Sequence, residues 1–314
     1  RRGSVHRDLA GLMAVRQIRR IAPAAGPALH DRIGAQALHA RYFRSDSERT
    51  EREHPELVIA RGENILSAVE GGATKLIYAF ESDRAFREHF EPMFEELLPK
   101  LRRALRADTV RFRLSHSPSR PVVEPVLKKL WFAPARDWLQ FDLEREAGRT
   151  LRAARVAGVR FREGSVADAE AIARIDHEAF PDTPMPTPAI RAELADQQAL
   201  VAMRGGEVIG FCTFAQHDPG WGYLHTLAVR EAERGRGIGR ALTARTCKKL
   251  FAGGAQRVSL TTDGDNAAAI RLYVGMGFRP GPAGRDYTRP VDPQEVERVR
   301  QERRGVLIKF GGWR

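Results

Sequence analysis

The chain has 314 residues, a net charge of +12 and an apolar fraction of 42%. This length suffices for two domains of ordinary size, and the apolar content excludes an intrinsically disordered chain. Two cysteines, Cys212 and Cys247, are too few for a disulfide framework and are not spaced as metal ligands. We therefore expect buried thiols in a reducing, cytoplasmic compartment and no metal site. No apolar run of about 18 residues and no secretory signal occur, so no membrane association is expected.

The positive charge is almost entirely arginine and is spread along the whole chain among acidic residues, as on solvated helix faces. Charge alone would suggest a nucleic-acid partner, but no nucleic-acid-binding motif accompanies it. The composition therefore does not favour nucleic-acid binding. A basic surface could instead attract an acidic substrate or an anionic acyl donor.

The two halves of the chain resemble each other. Ala199–Gly210 aligns without a gap on Glu56–Ser67, and each segment predicts a strand, a tight glycine turn and a second strand. A later strand and helix with an aromatic end also recur, as Val110–Leu114 with Val122–Phe132 and as Val258–Thr262 with Ala267–Phe278.

These repeats predict two similar lobes at 1–145 and 155–290, followed by a tail at 291–314. Because helices and strands alternate in each lobe, we expect α/β architecture with a mixed central sheet flanked by helices. The tail predicts a charged helix, Pro293–Arg304, and a strand-like run, Val306–Phe310, that could fill a sheet edge. The opening Arg1–Val5 echoes Arg162–Val166 ahead of a predicted helix at Asp8–Ile21, so the first lobe's opening strand is expected to be truncated or replaced.

The most informative stretch lies in the second lobe. A strand over Tyr223–Val229 leads to a glycine-rich turn, Arg234–Arg240, and then to a helix over Ala241–Phe251. Such a turn exposes successive backbone N–H groups at a helix start, which forms a cradle for a pyrophosphate. No Lys-Ser/Thr pair follows, which excludes a P-loop, and the glycine spacing does not fit the dinucleotide fingerprint.

Arg234-x-x-Gly237-x-Gly239 after a strand resembles the acetyl-CoA signature of the GNAT superfamily of acyltransferases. The resemblance continues in order through Thr261–Asn266 and through Asn266–Tyr273 with its following Gly277-Phe278. A weaker similarity covers 159–215, where Phe180-Pro181 is similar to the ribosomal-protein N-terminal acetyltransferases. The tandem arrangement is similar to that of the mycothiol synthases.

The resemblance implies an N-acetyltransferase that uses acetyl-CoA as acyl donor and a small-molecule or peptide amine as acceptor. Backbone amides of Arg236–Arg240 would hold the CoA pyrophosphate, and Leu227 and Val229 would pair with the pantetheine arm. Tyr273 would protonate the departing thiolate, although it could also be a plain core aromatic. The implied CoA-binding residues are Leu227, Ala228, Val229, Arg234, Gly235, Arg236, Gly237, Ile238, Gly239, Arg240, Asn266 and Tyr273.

The residue that removes the amine proton is less evident. Thr261 stands where the similar N-terminal acetyltransferases carry a glutamate, and threonine cannot act as a base. His225 on the preceding strand is the next candidate, with Tyr223 as a relay on the same face, although a lone strand histidine is more often structural. Glu178 on the first helix of this lobe could line the acceptor cleft or simply be a solvated carboxylate.

The first lobe is expected to bind no CoA. Its matching segment, Tyr78–Phe86, contains no glycine, and Glu81 and Asp83 would repel a pyrophosphate. Leu127 stands where Tyr273 stands in the second lobe.

Three alternatives stay open at the level of sequence. The donor could be a longer acyl thioester, used with or without an amine acceptor. The chain could be a CoA-binding module without turnover, or a nucleic-acid binder. Acceptor pockets would be formed by loops such as Pro181–Ile190 and Gln216–Gly222, whose sequences do not name a ligand, and the oligomeric state is not encoded in any recognisable pattern.

Overall fold

A computed structural model of the chain describes residues 38–39, 50, 52–69, 74–105, 107–181, 184–218, 220–299 and 301. They form two compact units, one joining the residues up to Asp137 with those from Gly284 onward, the other comprising Trp138–Ala283. The predicted segments Arg1–Val5, Asp8–Ile21 and Val306–Phe310 lie outside the described residues. The predicted tail helix is present over 293–299.

The first unit is a mixed sheet with two helices on its apolar side. Its strand order is β2-β3-β4-β5-β12, and β1 pairs with β4 in addition. The long helix α1 (Asp83–Ala104) is capped by Ser82, whose side chain accepts a hydrogen bond from the Ala85 N–H, and it buries a phenylalanine-rich face against the sheet. The elements are β1 (Leu38–His39), a 3₁₀ turn (Pro55–Leu57), β2 (Ile59–Arg61), β3 (Asn64–Val69), β4 (Thr74–Phe80), α1 (Asp83–Ala104), β5 (Thr109–Ser115), α2 (Arg120–Lys129), and the parts of β6 (Ala133–Glu144) and β12 (Arg279–Pro290) that lie in this unit.

The second unit repeats this plan. Its strand order is β6-β11-β10-β9-β8-β7, and every neighbouring pair is antiparallel except β10 with β11. The elements are α3 (Arg145–Gly148), β7 (Arg160–Glu163), a 3₁₀ turn (Val166–Asp168), α4 (Ala169–Ala179), α5 (Thr187–Asp196), β8 (Gln198–Arg204), β9 (Glu207–Asp218), β10 (Trp221–Val229), a 3₁₀ turn (Glu231–Glu233), α6 (Ile238–Ala252), β11 (Arg257–Asp263) and α7 (Ala267–Val274). The helices α6 and α7 cover one face of this sheet and pack on one apolar cluster. The helices α4 and α5 cover the other face and pack on a second cluster.

The predicted α/β class with tandem lobes is confirmed, and so are the two strand–glycine turn–strand segments. The turns place Gly62, Gly205 and Gly206 at positive φ, between β2 and β3 and between β8 and β9. Among the helices that the structure describes, none is long and apolar enough to cross a membrane.

The compact units differ from the predicted lobes in the membership of two strands. Residues 138–144 of β6, from the first sequence repeat, pair with β11 and belong to the second unit. Residues 284–290 of β12, from the second repeat, pair with β5 and belong to the first unit. Each unit is thus completed by a strand from the other half of the repeat.

Candidate functional site

The strands β10 and β11 separate after a short paired segment. Residues Trp221–Leu224 of β10 pair in parallel with Arg257–Leu260 of β11. After Leu224 and Leu260 the two strands form no further backbone pair. β10 nevertheless continues to Val229, paired on its other edge with β9. The edge of β10 that faces β11 therefore offers backbone N–H and C=O groups to an added extended chain.

A bulge lies where the two strands separate. In the pairing of β10 with β9, Leu224 opposes Phe214 and Thr226 opposes Thr213, so His225 is an extra residue. Bulges locally increase strand twist, which helps to turn β10 away from β11. The bulge thus coincides with the point where the pairing of β10 with β11 ends.

The glycine-rich turn has the geometry of an anion cradle. Gly235 and Gly237 adopt φ values of +76° and +81°, and no atom lies within 4 Å of a Cβ placed on either one. Gly237 is the N-cap residue of α6, and no side chain caps the first turn of that helix. The N–H groups of the first turn are therefore available to an anion, at the helix end where the dipole favours negative charge.

The predicted CoA-binding side chains differ in what they do. Arg234 donates from Nε to the Val229 carbonyl at 3.1 Å, so one backbone acceptor of the open edge is already in use. Arg236 lies 3.4 Å from Glu233, and Arg240 donates to the Gly275 carbonyl at 3.0 Å. All three arginines are exposed and add positive charge around the cradle.

Other predicted CoA-binding residues contribute through their backbone or through helix capping. Ala228 and Ile238 are buried in apolar clusters, and Leu227 is partly buried. Gly239 lies inside α6, where a Cβ would make only ordinary contacts. Asn266 is the N-cap of α7, and its Oδ1 accepts from the Ala269 N–H at 3.0 Å.

Tyr273 lies in the core beneath the sheet. It is 5% exposed and packs against Phe141 and Phe278, with ring centroids 6.0 Å and 5.6 Å away. Within the described part of the chain, its hydroxyl has no hydrogen-bond partner. Burial, aided by the nearby cysteine thiols, raises the pKa of the phenol well above its usual range, so it stays protonated at neutral pH.

The sequence-predicted proton acceptors meet at the end of the paired segment. The rings of Tyr223 and His225 lie 5.0 Å apart between centroids, and the Tyr223 hydroxyl donates to the Thr261 hydroxyl at 2.8 Å. Glu178, in contrast, accepts a hydrogen bond from the Glu231 N–H and lies 3.9 Å from Arg230. Glu178 thus stabilises the 3₁₀ turn that precedes the glycine-rich turn.

Two polar residues near this point were missed by sequence reasoning. In the antiparallel register of β11 with β6, Gln140 opposes Thr261 and Asp142 opposes Ser259. The alternating segment 133–144 does signal a strand with Gln140 and Asp142 on one face. Because the sequence repeats assign this segment to the first lobe, they do not predict that it pairs with β11 in the second unit.

A small cavity lies between the helices α4 and α5 and the sheet, with space for one water-sized group. Asp176 and Glu193 line it among apolar side chains, next to Thr226 at the bulge. Asp176 accepts from the Met185 N–H at 2.7 Å, and Glu193 accepts from Thr213 at 2.8 Å. Burial raises the pKa of Asp176. The cavity places two carboxylates beside the splayed strands.

The corresponding region of the first unit is built differently. β4 and β5 pair only at Thr74–Lys75, and β1 then pairs with Ala79 and Phe80 on that same side of β4. A segment of the chain itself thus takes the edge that β10 leaves open. The following turn carries no glycine, and Ser82 caps α1 directly. The absence of CoA binding in the first lobe stays a prediction that these features support.

Comparison with known proteins agrees with this geometry. Residues 167–278 match the family model described as Acetyltransferase (GNAT) family. That segment holds the splayed strands, the glycine turn and Tyr273, so this part of the chain is a GNAT domain, and the resemblance inferred from sequence is confirmed.

Individual relatives extend the comparison. The chain is 40% identical over 94 residues to the mycothiol acetyltransferase of Kineococcus radiotolerans, a match that covers 28% of this chain and only 30% of that protein. Among solved structures, it resembles a tandem GNAT protein from the clavulanic acid biosynthesis pathway with a TM-score of 0.56, at 12% identity over 92% of this chain and 97% of the other. A GCN5-related N-acetyltransferase from Sphaerobacter thermophilus gives a TM-score of 0.57, at 19% identity over 73% and 77% of the two chains. These structural likenesses show a shared fold.

Proposed function

We propose that this protein is an N-acetyltransferase that transfers the acetyl group of acetyl-CoA to a primary amine. The observation that carries the proposal is the open edge of β10 leading directly into a left-handed glycine turn at the start of α6. The first feature suits the extended amide-bearing arm of CoA, and the second suits its pyrophosphate. Both lie inside the segment that matches the GNAT family model.

The donor would be held in two ways. N–H groups of Arg236–Arg240 would bind the pyrophosphate, with the surrounding arginines adding positive potential. The backbone of Leu227 and Val229 would pair with the pantetheine arm as a further strand does. Because Arg234 occupies the Val229 carbonyl, its guanidinium would have to move aside for a ligand to use that acceptor. The Asn266 amide group lies at the start of α7, on the far side of the splay.

Transfer would proceed by direct attack of the amine on the thioester. The amine nitrogen forms a bond to the carbonyl carbon and loses a proton to a base or to water. The carbon–sulfur bond breaks, and the thiolate takes a proton from Tyr273, which is reprotonated from water. A covalent cysteine intermediate is disfavoured, because Cys212 and Cys247 are fully buried. Burial raises the pKa of the Cys212 thiol to about 12 and that of Cys247 still further, so neither forms a thiolate readily.

Two alternatives to this proposal stay open: a different acyl donor, and a CoA-binding protein without catalytic turnover. Thr261 in place of a carboxylate allows a longer acyl thioester, with or without an amine acceptor. A CoA-binding module without turnover would retain the cradle, and its affinity for CoA would not change on replacement of Tyr273.

A thiol-release assay separates these possibilities. Acetyl-CoA and longer acyl-CoAs are offered together with a panel of small primary amines and short peptides with free N-termini. Amine-dependent CoA release with acetyl-CoA, lowered in Tyr273→Phe, supports the proposal. Release only from longer donors, release without an amine, or no release from any donor would each contradict it.

A further inference from the structure

The proposed reaction requires a group that takes the proton of the acceptor amine. The second-repeat carboxylates beside the splay, Asp176 and Glu193, line a cavity with space for one water-sized group and accept hydrogen bonds from the Met185 N–H and the Thr213 hydroxyl.

Thr261 cannot act as a base, and the Tyr223 hydroxyl donates a hydrogen bond to it. The adjacent strand β6 brings a carboxylate to the same face. Tyr223 opposes Ser259 in β11, and Ser259 opposes Asp142 in β6, so the three residues form one row across three strands.

Hydrogen bonds hold the Asp142 carboxylate in one orientation. The Ser259 hydroxyl donates to Asp142 Oδ1, and Ser259 in turn accepts from the Trp221 indole N–H at 2.9 Å. Gln140 Nε2 donates to the two carboxylate oxygens at 2.7 Å and 3.0 Å. Ser259, Trp221 and Gln140 are buried, whereas Asp142 is partly exposed. The network therefore ends in a carboxylate that solvent can reach.

Two further observations indicate that this carboxylate serves a ligand and not only the fold. No basic side chain in the described ranges forms an ion pair with Asp142. Gln140 is 4% exposed, yet its Oε1 is buried without a hydrogen-bond partner. Such an orphaned acceptor beside a carboxylate suits a bridging water.

The local backbone leaves room for the carboxylate. A Cβ at Gly281 of β12 would lie 2.7 Å from Asp142 Oδ2, closer than a real contact allows. A glycine at this point therefore permits the carboxylate to occupy its position, and any larger residue would displace it.

We propose that Asp142 is the general base of the acetyl transfer, an inference that rests on the proposed function. Through bridging water, its carboxylate takes a proton from the acceptor ammonium group, which frees the nitrogen lone pair to attack the thioester carbon. The carbon–sulfur bond breaks, the thiolate takes the proton of Tyr273, and the second proton of the attacking nitrogen is released to water. Protonated Asp142 then returns its proton to water, and Tyr273 regains a proton from water. The first sequence repeat, which lacks a cradle, thus contributes the base through β6.

The test compares the pH dependence of kcat/KM in the wild-type protein, Asp142→Asn and His225→Gln, with the most active amine of the panel. Asp142→Asn should lower kcat/KM at neutral pH by about 10²–10⁴-fold, the usual contribution of a general base. Its remaining activity should rise with pH towards the pKa of the amine, because the free amine then needs no base. Acetyl-CoA affinity should stay within about threefold in the same variant, which reports an intact fold. In His225→Gln the fall of kcat/KM towards low pH should persist, whatever the change in rate.

A second variant guards against misfolding of the first. Ser259→Ala keeps the charge of Asp142 but removes a bond that orients it, and should lower kcat by about tenfold or more with little change in KM. If Asp142→Asn and Ser259→Ala both stay within a few-fold of an active wild type, the inference is overturned while the proposed function stands. If kcat/KM of His225→Gln no longer falls towards low pH, the inference is also overturned, and His225 is the base. A wild type that binds acetyl-CoA and acetylates no amine would overturn the proposed function and this inference with it.

Discussion

The Tyr223 hydroxyl donates a 2.8 Å hydrogen bond to the Thr261 hydroxyl and ties β10 to β11 at the point where their pairing ends. Leu224 and Leu260 form the last backbone pair, so this side-chain bond closes the inner end of the splay. A ligand strand inserted between β10 and β11 would end against it.

Removing this bond should loosen the end of the splay at a modest cost in stability. Tyr223→Phe and Thr261→Val are each expected to lower the free energy of unfolding by about 1 kcal/mol, the usual net value of such a bond. In the double variant the losses should be less than additive, because one interaction is removed twice. Chemical denaturation of the four proteins measures this coupling. Strict additivity would mean that the two hydroxyls do not interact.

Tyr273→Phe should separate acid catalysis from packing. The substitution removes only a hydroxyl that has no partner among the described residues, so thermal stability should change little. Amine-dependent turnover should fall by about 10²–10⁴-fold because the thiolate then leaves without a proton. Steady-state kinetics and thermal melts of the same preparation test both statements. Unchanged turnover would assign Tyr273 to the core alone.

Two substitutions of Asn266 separate its role in helix capping from its proposed role in donor binding. Asn266→Ala should destabilise the protein by about 1 kcal/mol because it removes the N-cap of α7. Asn266→Ser should retain the cap and therefore most of the stability, but it lacks the amide group implied to contact CoA. Weaker acetyl-CoA binding in Asn266→Ser, at near-normal stability, would show that contact. Normal binding in Asn266→Ser would restrict Asn266 to capping.

Asp176 should reduce stability at neutral pH. Burial raises its pKa in the folded chain, so the folded state holds the proton more tightly than the unfolded state does. Stability therefore falls as the pH rises from the unfolded value of about 3.9 through the raised folded value. Asp176→Asn can still accept the Met185 N–H bond and should melt at a higher temperature than wild type at pH 7. The difference should shrink towards pH 4.

Asp168 provides a control of opposite sign. Its hydrogen bonds with Arg162, at 2.7 Å and 2.8 Å, lower the pKa of its carboxyl in the folded state. Asp168→Asn should therefore lower the melting temperature at pH 7, and the loss should diminish as the pH falls from the unfolded value through the lowered folded value. Equal shifts of the same sign in both variants would contradict the assignment of these pKa changes.

The local parts of the fold and site could be predicted from sequence. Alternation and glycine turns determine β8, β9 and β10, and the turn at Gly235 and Gly237 lies where its spacing indicates. The exchange of β6 and β12 could not be predicted, since both strands carry similar patterns and the choice of partner depends on long-range pairing. Asp142 was overlooked for that reason. The bulge at His225 escaped notice because one inserted residue does not alter the composition of a strand.

Isothermal titration of acetyl-CoA into wild type, Gly237→Glu and Gly205→Glu tests the central claim most directly. Gly205 is a matched control, because it also has positive φ and open space but lies in the β8–β9 turn and not at the start of α6. Wild type and Gly205→Glu should each bind one acetyl-CoA per chain, whereas Gly237→Glu should show no binding because a carboxylate enters the anion cradle. Binding to Gly237→Glu at wild-type affinity, or two sites per chain in the wild type, would contradict a single donor site at the start of α6.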